Sequence, residues 1–425
     1  MVLKWSFKIR LSNNNTFFNN HKKQKLQLKI FNLPYLKFIA DQLFNGYRML
    51  GNEMVLITNE KGKIIDIINK QEAGEDVQYV KGILCPGFIN AHCHLELSHL
   101  KAAIPEKTGL VDFVFNVVTQ RNRFNEEQIA IAIAKAEDDM LLNGIVAVGD
   151  ICNNTSTIPQ KEKNRLAYYN FIEVSGWLPE IAQHRFERSK THFEAFQKIE
   201  NATIKNAFAA HAPYSVSKNL WSLLANQFNT KTTTIHNQET SFEDDLFINK
   251  TGDFNRMFEM MQIDNTFFTP TGKSSVQSYV SYLKQAKNVL LVHNTFIKEP
   301  DIKFIQHQIP QFFYCLCVRA NTFIENTLPP IELLIKNNCN IVLGTDSLAS
   351  NYSLSILEEM KVIQQNFPSV TLTEMLQWAT SNGSKALQFD DALGSFEKDK
   401  CPGVLIMEHV EDEKLSAATT IKRLL

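Results

Sequence analysis

Residues 86–98 read Pro86-Gly87-Phe88-Ile89-Asn90-Ala91-His92-Cys93-His94-Leu95-Glu96-Leu97-Ser98. A turn dipeptide opens a short apolar run, 87–91, and the run ends on two histidines one residue apart. Its length and flanks are those of a buried strand. In extended chain, residues i and i+2 point to the same side. His92 and His94 therefore present both imidazoles to one point just past the strand's C-terminal end.

Seven more apolar runs follow, at 145–151, 167–173, 207–210, 232–236, 289–293, 312–318 and 341–345. Helical patterns separate most of them. The clearest is 125–142, with Asn125 as N-cap, Glu126 and Glu127 in the first turn and Gly144 after the end. Strands alternating with helices predict an α/β fold with a parallel sheet. Eight such units match the ~250 residues of a (β/α)₈ or TIM barrel. A doubly wound open sheet is the alternative, but no Gly-rich phosphate loop follows any strand.

The flanks have a different texture. From Phe38 to Val80 short runs (54–57 and 64–68) surround a turn at Lys61-Gly62-Lys63. After the eighth run come two helices, the second opening on the capping-box pattern Thr371-Leu372-Thr373-Glu374. The tail returns to strand at 404–407. The expected division is a barrel over 86–384 and a small β-sandwich built from 37–85 and 385–425.

The chain has 425 residues, 44% of them hydrophobic and 21% charged, which is enough apolar material for a large core. No stretch approaches the ~20 apolar residues of a membrane span. The net charge of −1 hides an asymmetry. Residues 1–40 hold eight basic side chains and no acid; the remainder carries 36 basic against 45 acidic residues, a net of −9. Such a body disfavours nucleic acid or a polyanion as partner. The Lys- and Asn-rich head lacks the apolar run and cleavage site of a secretory signal. Residues 1–36 are expected to lie outside the working fold, and a start codon placed too far upstream fits their composition. Seven cysteines without a C-x-x-C read as reduced thiols of a cytoplasmic protein.

The histidines carry the chemistry. His211, His236 and His293 end the fourth, fifth and sixth runs, and Asp346 follows the eighth. In a barrel all strand C-terminal ends meet at one face, where active sites form. Neutral imidazole and carboxylate are ligands for Zn²⁺ or Fe²⁺, and a catalytic site keeps a position for water, whose pKa falls towards ~7. Glu239 lies three residues past His236, beside that water without ligating, and can pass its proton to a substrate nitrogen. Zinc base deaminases work in this general way. His21 lies in the discounted head, and His184, His192, His307 and His409 are expected at the surface.

Together, residues 86–98, His211-Ala212-Pro213-Tyr214-Ser215, His236-x-x-Glu239, Val292-His293 and Gly344-Thr345-Asp346-Ser347 resemble, in order, the motifs of the amidohydrolase superfamily. The resemblance runs from about Phe38 to the C-terminus. It is strongest to the mononuclear deaminase and chlorohydrolase branch, which includes cytosine, guanine, adenosylhomocysteine and aminodeoxyfutalosine deaminases. It implies that His92, His94, His236 and Asp346 hold one divalent metal, zinc with iron as the alternative. It implies a proton shuttle at Glu239, a water-orienting His293 with which Asp346 shares a proton, and a substrate contact at His211. Arg319 and Asn321, in Leu316-Cys317-Val318-Arg319-Ala320-Asn321, would face the pocket. The chain departs from the branch at Val318 and Ala320, where Pro and Ser are usual, and at Cys93, where Thr is common.

Two-metal members need a bridging carboxylated Lys or a Glu. His211, not Lys, ends the fourth run, and Glu173 at the end of the third is the rival bridge, or else a residue supporting the site. Glu96 is either an acceptor for ribose hydroxyls or a ring nitrogen, or an exposed loop acid. Phe113, Phe115 and Phe124 either stack on a base or pack a helix face. The expected activity is hydrolytic removal of an exocyclic amine from a purine-nucleoside-like or other N-heterocyclic small molecule, with aminodeoxyfutalosine as the named candidate. Hydrolytic dechlorination or cyclic-amide hydrolysis on the same scaffold, and a non-enzymatic barrel, are the alternatives. A homodimer is the assembly considered.

Overall fold

The computed structural model describes residues 35–309 and 311–425. The extension assigned to 1–36 lies outside them except for its last two residues, and these open strand β1 (Tyr35–Leu43), paired with Asn59 and Thr58.

Fourteen strands form three sheets among the described residues. Eight lie in two four-stranded parallel sheets. The first holds β5 (Phe88–Cys93), β6 (Ile145–Cys152), β7 (Ala167–Val174) and β8 (Ile204–Ala210) in that order. The second holds β9 (Thr232–Asn237), β10 (Asn288–His293), β11 (Phe312–Leu316) and β12 (Ile341–Leu343). These are the eight runs read in the sequence, shifted by a few residues at their ends. Helices fall between most of them. Glu126–Leu142 starts with Asn125 and Gln128 closing a capping box, and Leu372–Gln377 starts with Thr371 and Glu374 doing the same. Each box satisfies amide protons that a first helical turn leaves without partners.

Backbone bonds join the two sheets at both seams. His236 N donates to His211 O at 3.0 Å, and Thr345 and Asp346 N donate to His92 O at 3.0 and 3.2 Å. Alternate residues of both sheets, among them Ile89, Ala147, Phe171, Ala209, Leu290, Phe313 and Val342, meet in one buried cluster. Their neighbours in sequence pack outward under the helices in the larger core. Cys93 is one of these outward residues, turned from its flanking histidines as strand alternation requires.

Strands from the first and last parts of the described chain meet in one six-stranded sheet of order β14-β13-β4-β1-β2-β3. Here β2 is Met54–Asn59, β3 Ile64–Asn69, β4 Gln78–Pro86, β13 Val404–Glu408 and β14 Thr420–Arg423. β13 runs antiparallel to β4, with Val404 opposite Pro86. A second sheet that would complete a sandwich is not seen among the described residues. Nor is any described helix long and apolar enough to cross a membrane, and all seven cysteines are free thiols.

Candidate metal centre and its cavity

Strand ends bring His92, His94, His236 and Asp346 together, so that one ligand atom from each lies within 4.8 Å of the others. All four are buried. His94 Nε2 stands 3.2 Å from His236 Nε2, and Asp346 Oδ1 lies 3.3 Å from His94 Nε2 and 3.6 Å from His92 Nε2. His236 Nδ1 lies 2.7 Å from the carbonyl of His211. A carbonyl only accepts, so Nδ1 carries the ring proton and Nε2 offers a bare lone pair. Both ring nitrogens of His92 are buried without a partner. Lone pairs converging in a dry site are costly unless a cation lies among them. The spacings agree with the ~3.3 Å edge of a tetrahedron with ~2.0–2.1 Å metal bonds. The donor set, three imidazoles and a carboxylate, is that of zinc or ferrous iron.

Electrostatics favours the ligating protonation states. Burial drives His94 and His293 down to about 3, outweighing the pull of Asp346, and drives His236 well below its ordinary value. Burial alone would raise Asp346, yet the neighbouring imidazoles of His92, His94 and His293 hold it well below the carboxylate range. The backbone turns sharply here. Gln238, His293 and Asp346 have φ of 43°, 71° and 57°, a left-handed conformation costing of the order of 1–3 kcal/mol each. At Asp346 the surroundings hold it: Ser350 Oγ donates to Oδ2, and the preceding Thr345 is bonded to Asn90 through Oγ1 (2.7 Å) and N (3.1 Å). Gly344 is required for close approach, because a Cβ there would sit 2.9 Å from His92 Cβ and 2.8 Å from Cys315 Sγ.

Glu239 is buried beside the cluster, Oε1 3.5 Å from His293 Nε2. Burial first, then the charges of Asp346, Glu325 and Glu243, hold its carboxyl well above the usual range, so it can keep a proton in a dry site. The amide of Asn321 lies 3.2 Å from His293 Nδ1 and donates to Thr295 at 2.8 Å, which fixes the imidazole.

A cavity of about 620 Å³ opens over the cluster. His94, His211, His236, Glu239, His293, Asp346, Glu96 and Glu173 all line it. His211 Nδ1 is 2.8 Å from Ser215 Oγ. Glu96 is buried, not an exposed loop acid: Oε2 accepts from Asn153 N and Asn154 N at 3.0 and 3.2 Å. Burial, then the charges of Asp150 and Glu173, push it up to about 8. Phe113 lines the cavity, Phe115 is exposed, and Phe124 packs edge-on against His99.

One expected site residue is elsewhere. Arg319 does not line the cavity. Its guanidinium donates to Ser353 Oγ at 2.8 Å and lies over the Tyr352 ring, while its backbone N donates to Glu359 at 3.0 Å. Val318 begins a helix, Val318–Glu325, and successive helical residues point in different directions, so Asn321 reaches His293 while Arg319 turns away. His192, expected at the surface, lines the cavity, as do His99, Arg121, Arg185 and Arg188. No strand end marks these residues; the chain between the strands folds them over the rim.

A second polar cluster supports the first. Lys161 is wholly buried, bonded to Asp150, to Asn170 Oδ1 at 2.6 Å and to Cys152 Sγ at 3.3 Å. Asp150 Oδ1 also accepts from Leu95 N at 2.8 Å, the residue after His94. Burial would lower the Lys161 ammonium, but Asp150 raises it on balance.

A set of side chains able to hold a metal at the C-terminal ends of parallel strands, with a buried carboxyl beside it, is the arrangement that metal-assisted hydrolysis requires. Residues 83–416 match the amidohydrolase family, and the chain belongs to that family. It is a metal-binding hydrolase acting on C–N bonds. It is 26% identical over 378 residues to an adenosine deaminase of Helicobacter pylori, covering 83% of this chain and 90% of that one. It is 25% identical over 316 residues to an aminodeoxyfutalosine deaminase of Nitratiruptor, covering 72% and 75%. Among solved structures it is similar in fold to H. pylori aminofutalosine deaminase in complex with methylthio-coformycin (TM-score 0.75, 24% identity, 88% and 93% of the two chains). A zinc-bound adenosine deaminase of Xanthomonas campestris shares the fold at TM-score 0.68 and 18% identity, over 88% and 84%.

Proposed function

We propose that this chain is a metal-dependent aminohydrolase that removes the exocyclic amine of an adenosine-like nucleoside, with aminodeoxyfutalosine as the first substrate to test. The observation that carries the reading is the juxtaposition of four convergent buried ligand atoms with the buried carboxyl of Glu239 in one cavity. Relatives bearing deaminase names support it. A volume near 620 Å³ lies within the ~300–1,000 Å³ range of small-molecule sites.

His92, His94, His236 and Asp346 would hold one divalent ion, zinc before iron. When bound, the ion supplies Lewis acidity and lowers the pKa of a water towards ~7. Glu239 takes a proton from the attacking water and delivers it to the substrate; the C–N bond to the amine breaks, ammonia leaves and the oxygen stays on the ring. His293, held by Asn321, orients the water, and Asp346 shares its proton. His211 contacts the ring and Glu96 the sugar. The two four-stranded sheets would close into one (β/α)₈ barrel over 86–384, with 37–85 and 385–425 forming the small β domain. The substrate is a small molecule, not nucleic acid.

The test is ammonia release by zinc-loaded protein from adenosine, 5′-deoxyadenosine, aminodeoxyfutalosine, guanine and cytosine, with metal analysis of the same sample. The expected result is about one metal per chain and ammonia from the adenosine compounds. No ammonia from any of them, or a product formed without ammonia, overturns the reading.

A further inference from the structure

One carboxylate in the cavity has no assigned work. Glu173 is the penultimate residue of β7, opposite Ala209 of β8, and its carbonyl accepts from Ser189 Oγ at 3.0 Å. The side chain is 7% exposed and lines the cavity, and its Oε2 is buried without a hydrogen-bond partner. A carboxylate oxygen left dry and unpaired costs free energy that a bound donor recovers.

The donor could be a second metal, since a ligand atom of Glu173 lies within 4.8 Å of one from His211 and one from His236. The hydrogen bonds argue against it. His236 has a single lone pair, on Nε2, because Nδ1 donates to His211 O, and that lone pair faces His94 in the first cluster. A second ion would keep only Glu173 and His211, fewer than the three protein ligands of a catalytic zinc site.

We infer that Glu173 is a specificity-determining residue whose carboxylate accepts a hydrogen bond from a sugar hydroxyl of the substrate. This rests on the deaminase reading, which sets His211 against the ring and Glu96 against the sugar. Glu173 lies beside His211 and close enough to Glu96 for the two charges to interact. It therefore sits where base and sugar join, and the hydroxyl nearest the base, at C2′, is the donor it fits best. The site selects ribonucleosides over 2′-deoxynucleosides and free bases.

The experiment measures kcat and KM of zinc-loaded full-length protein, Glu173→Ala and Glu173→Gln with adenosine, 2′-deoxyadenosine and 3′-deoxyadenosine, with metal content of each. In the unaltered protein 2′-deoxyadenosine should be about 10–100-fold poorer in kcat/KM, the scale of a bond to a charged acceptor. Glu173→Ala should bring adenosine down to that level, mainly through KM, and leave 2′-deoxyadenosine unchanged. Glu173→Gln, which keeps an acceptor oxygen, should recover part of the loss and reports the same pattern if the alanine variant fails to fold. Transfer of the pattern to 3′-deoxyadenosine would support the sugar contact and move it to the 3′-hydroxyl. An equal loss on all three substrates, or a fall in metal content, overturns the inference alone. No deamination of any nucleoside by the unaltered protein overturns the deaminase reading and the inference with it.

Discussion

Two clusters of buried polar side chains lie at neighbouring ends of the same sheets. In one, Asp150, Lys161, Asn170 and Cys152, the charges are opposite and Lys161 is bonded to each of the other three. In the other, three imidazoles and Asp346 point lone pairs at a common space, and several of their atoms have no partner. Burial is the same in both; satisfaction is not. A saturated cluster needs nothing further and serves to hold the chain, here the segment after His94 through Leu95 N. An unsaturated cluster is complete only with something added. Glu359 belongs with the first kind, accepting from Arg319 N and Asn351, and Glu173 with the second.

The sharpest break of this contrast is Glu239→Gln in the unsaturated cluster. It should retain metal and lose about 10²–10⁴-fold in kcat, the usual worth of general acid–base catalysis; near-normal turnover removes Glu239 from the proton path. In the saturated cluster Lys161→Met removes no group from the proton path but should cost about 3–5 kcal/mol of stability, because Asp150 is left buried and unpaired. Denaturant titration reads it, and an added Asp150→Asn should restore part; a shift under 1 kcal/mol would make the pair dispensable.

Glu359 offers a pH handle. Burial raises it from 4.5 to about 7 against the bonds that lower it. Between those values the folded state holds a proton that the unfolded state has lost, so this group's contribution to stability falls as pH rises from 4.5 to 7 and is flat above. Glu359→Gln should flatten that part of the stability profile by up to a few kcal/mol; an unchanged slope assigns it to another group. The smallest effect is expected for His211→Ala, about 10-fold in KM with metal retained, the scale of one lost hydrogen bond. Loss of metal there would make His211 a ligand and strengthen the case for a second ion.

Much of this was readable in one dimension. Burial on both faces makes parallel strands continuous apolar runs, so all eight were visible between 87 and 345. Because a barrel-type layout gathers strand ends, His92, His94, His211, His236, His293 and Asp346 were visible as a set. Arg319 was not, since its direction depends on where a helix starts. Nor were Lys161, His192, Arg185 and Arg188, which come from segments between strands where no period ties residue to position. The C-terminal strand was visible at 404–407, but its pairing with β4 to make one sheet was settled across more than 300 residues of chain.

The sequence by itself determined which residue types end which strands, and hence the ligand set, because strand period and strand ends are local properties. Only the tertiary structure decided which of the buried polar groups are paired and which are left open. Pairing depends on which side chains the strands and their connections bring face to face. That difference separates Asp150, bound to Lys161, from Glu173, whose oxygen waits for a donor.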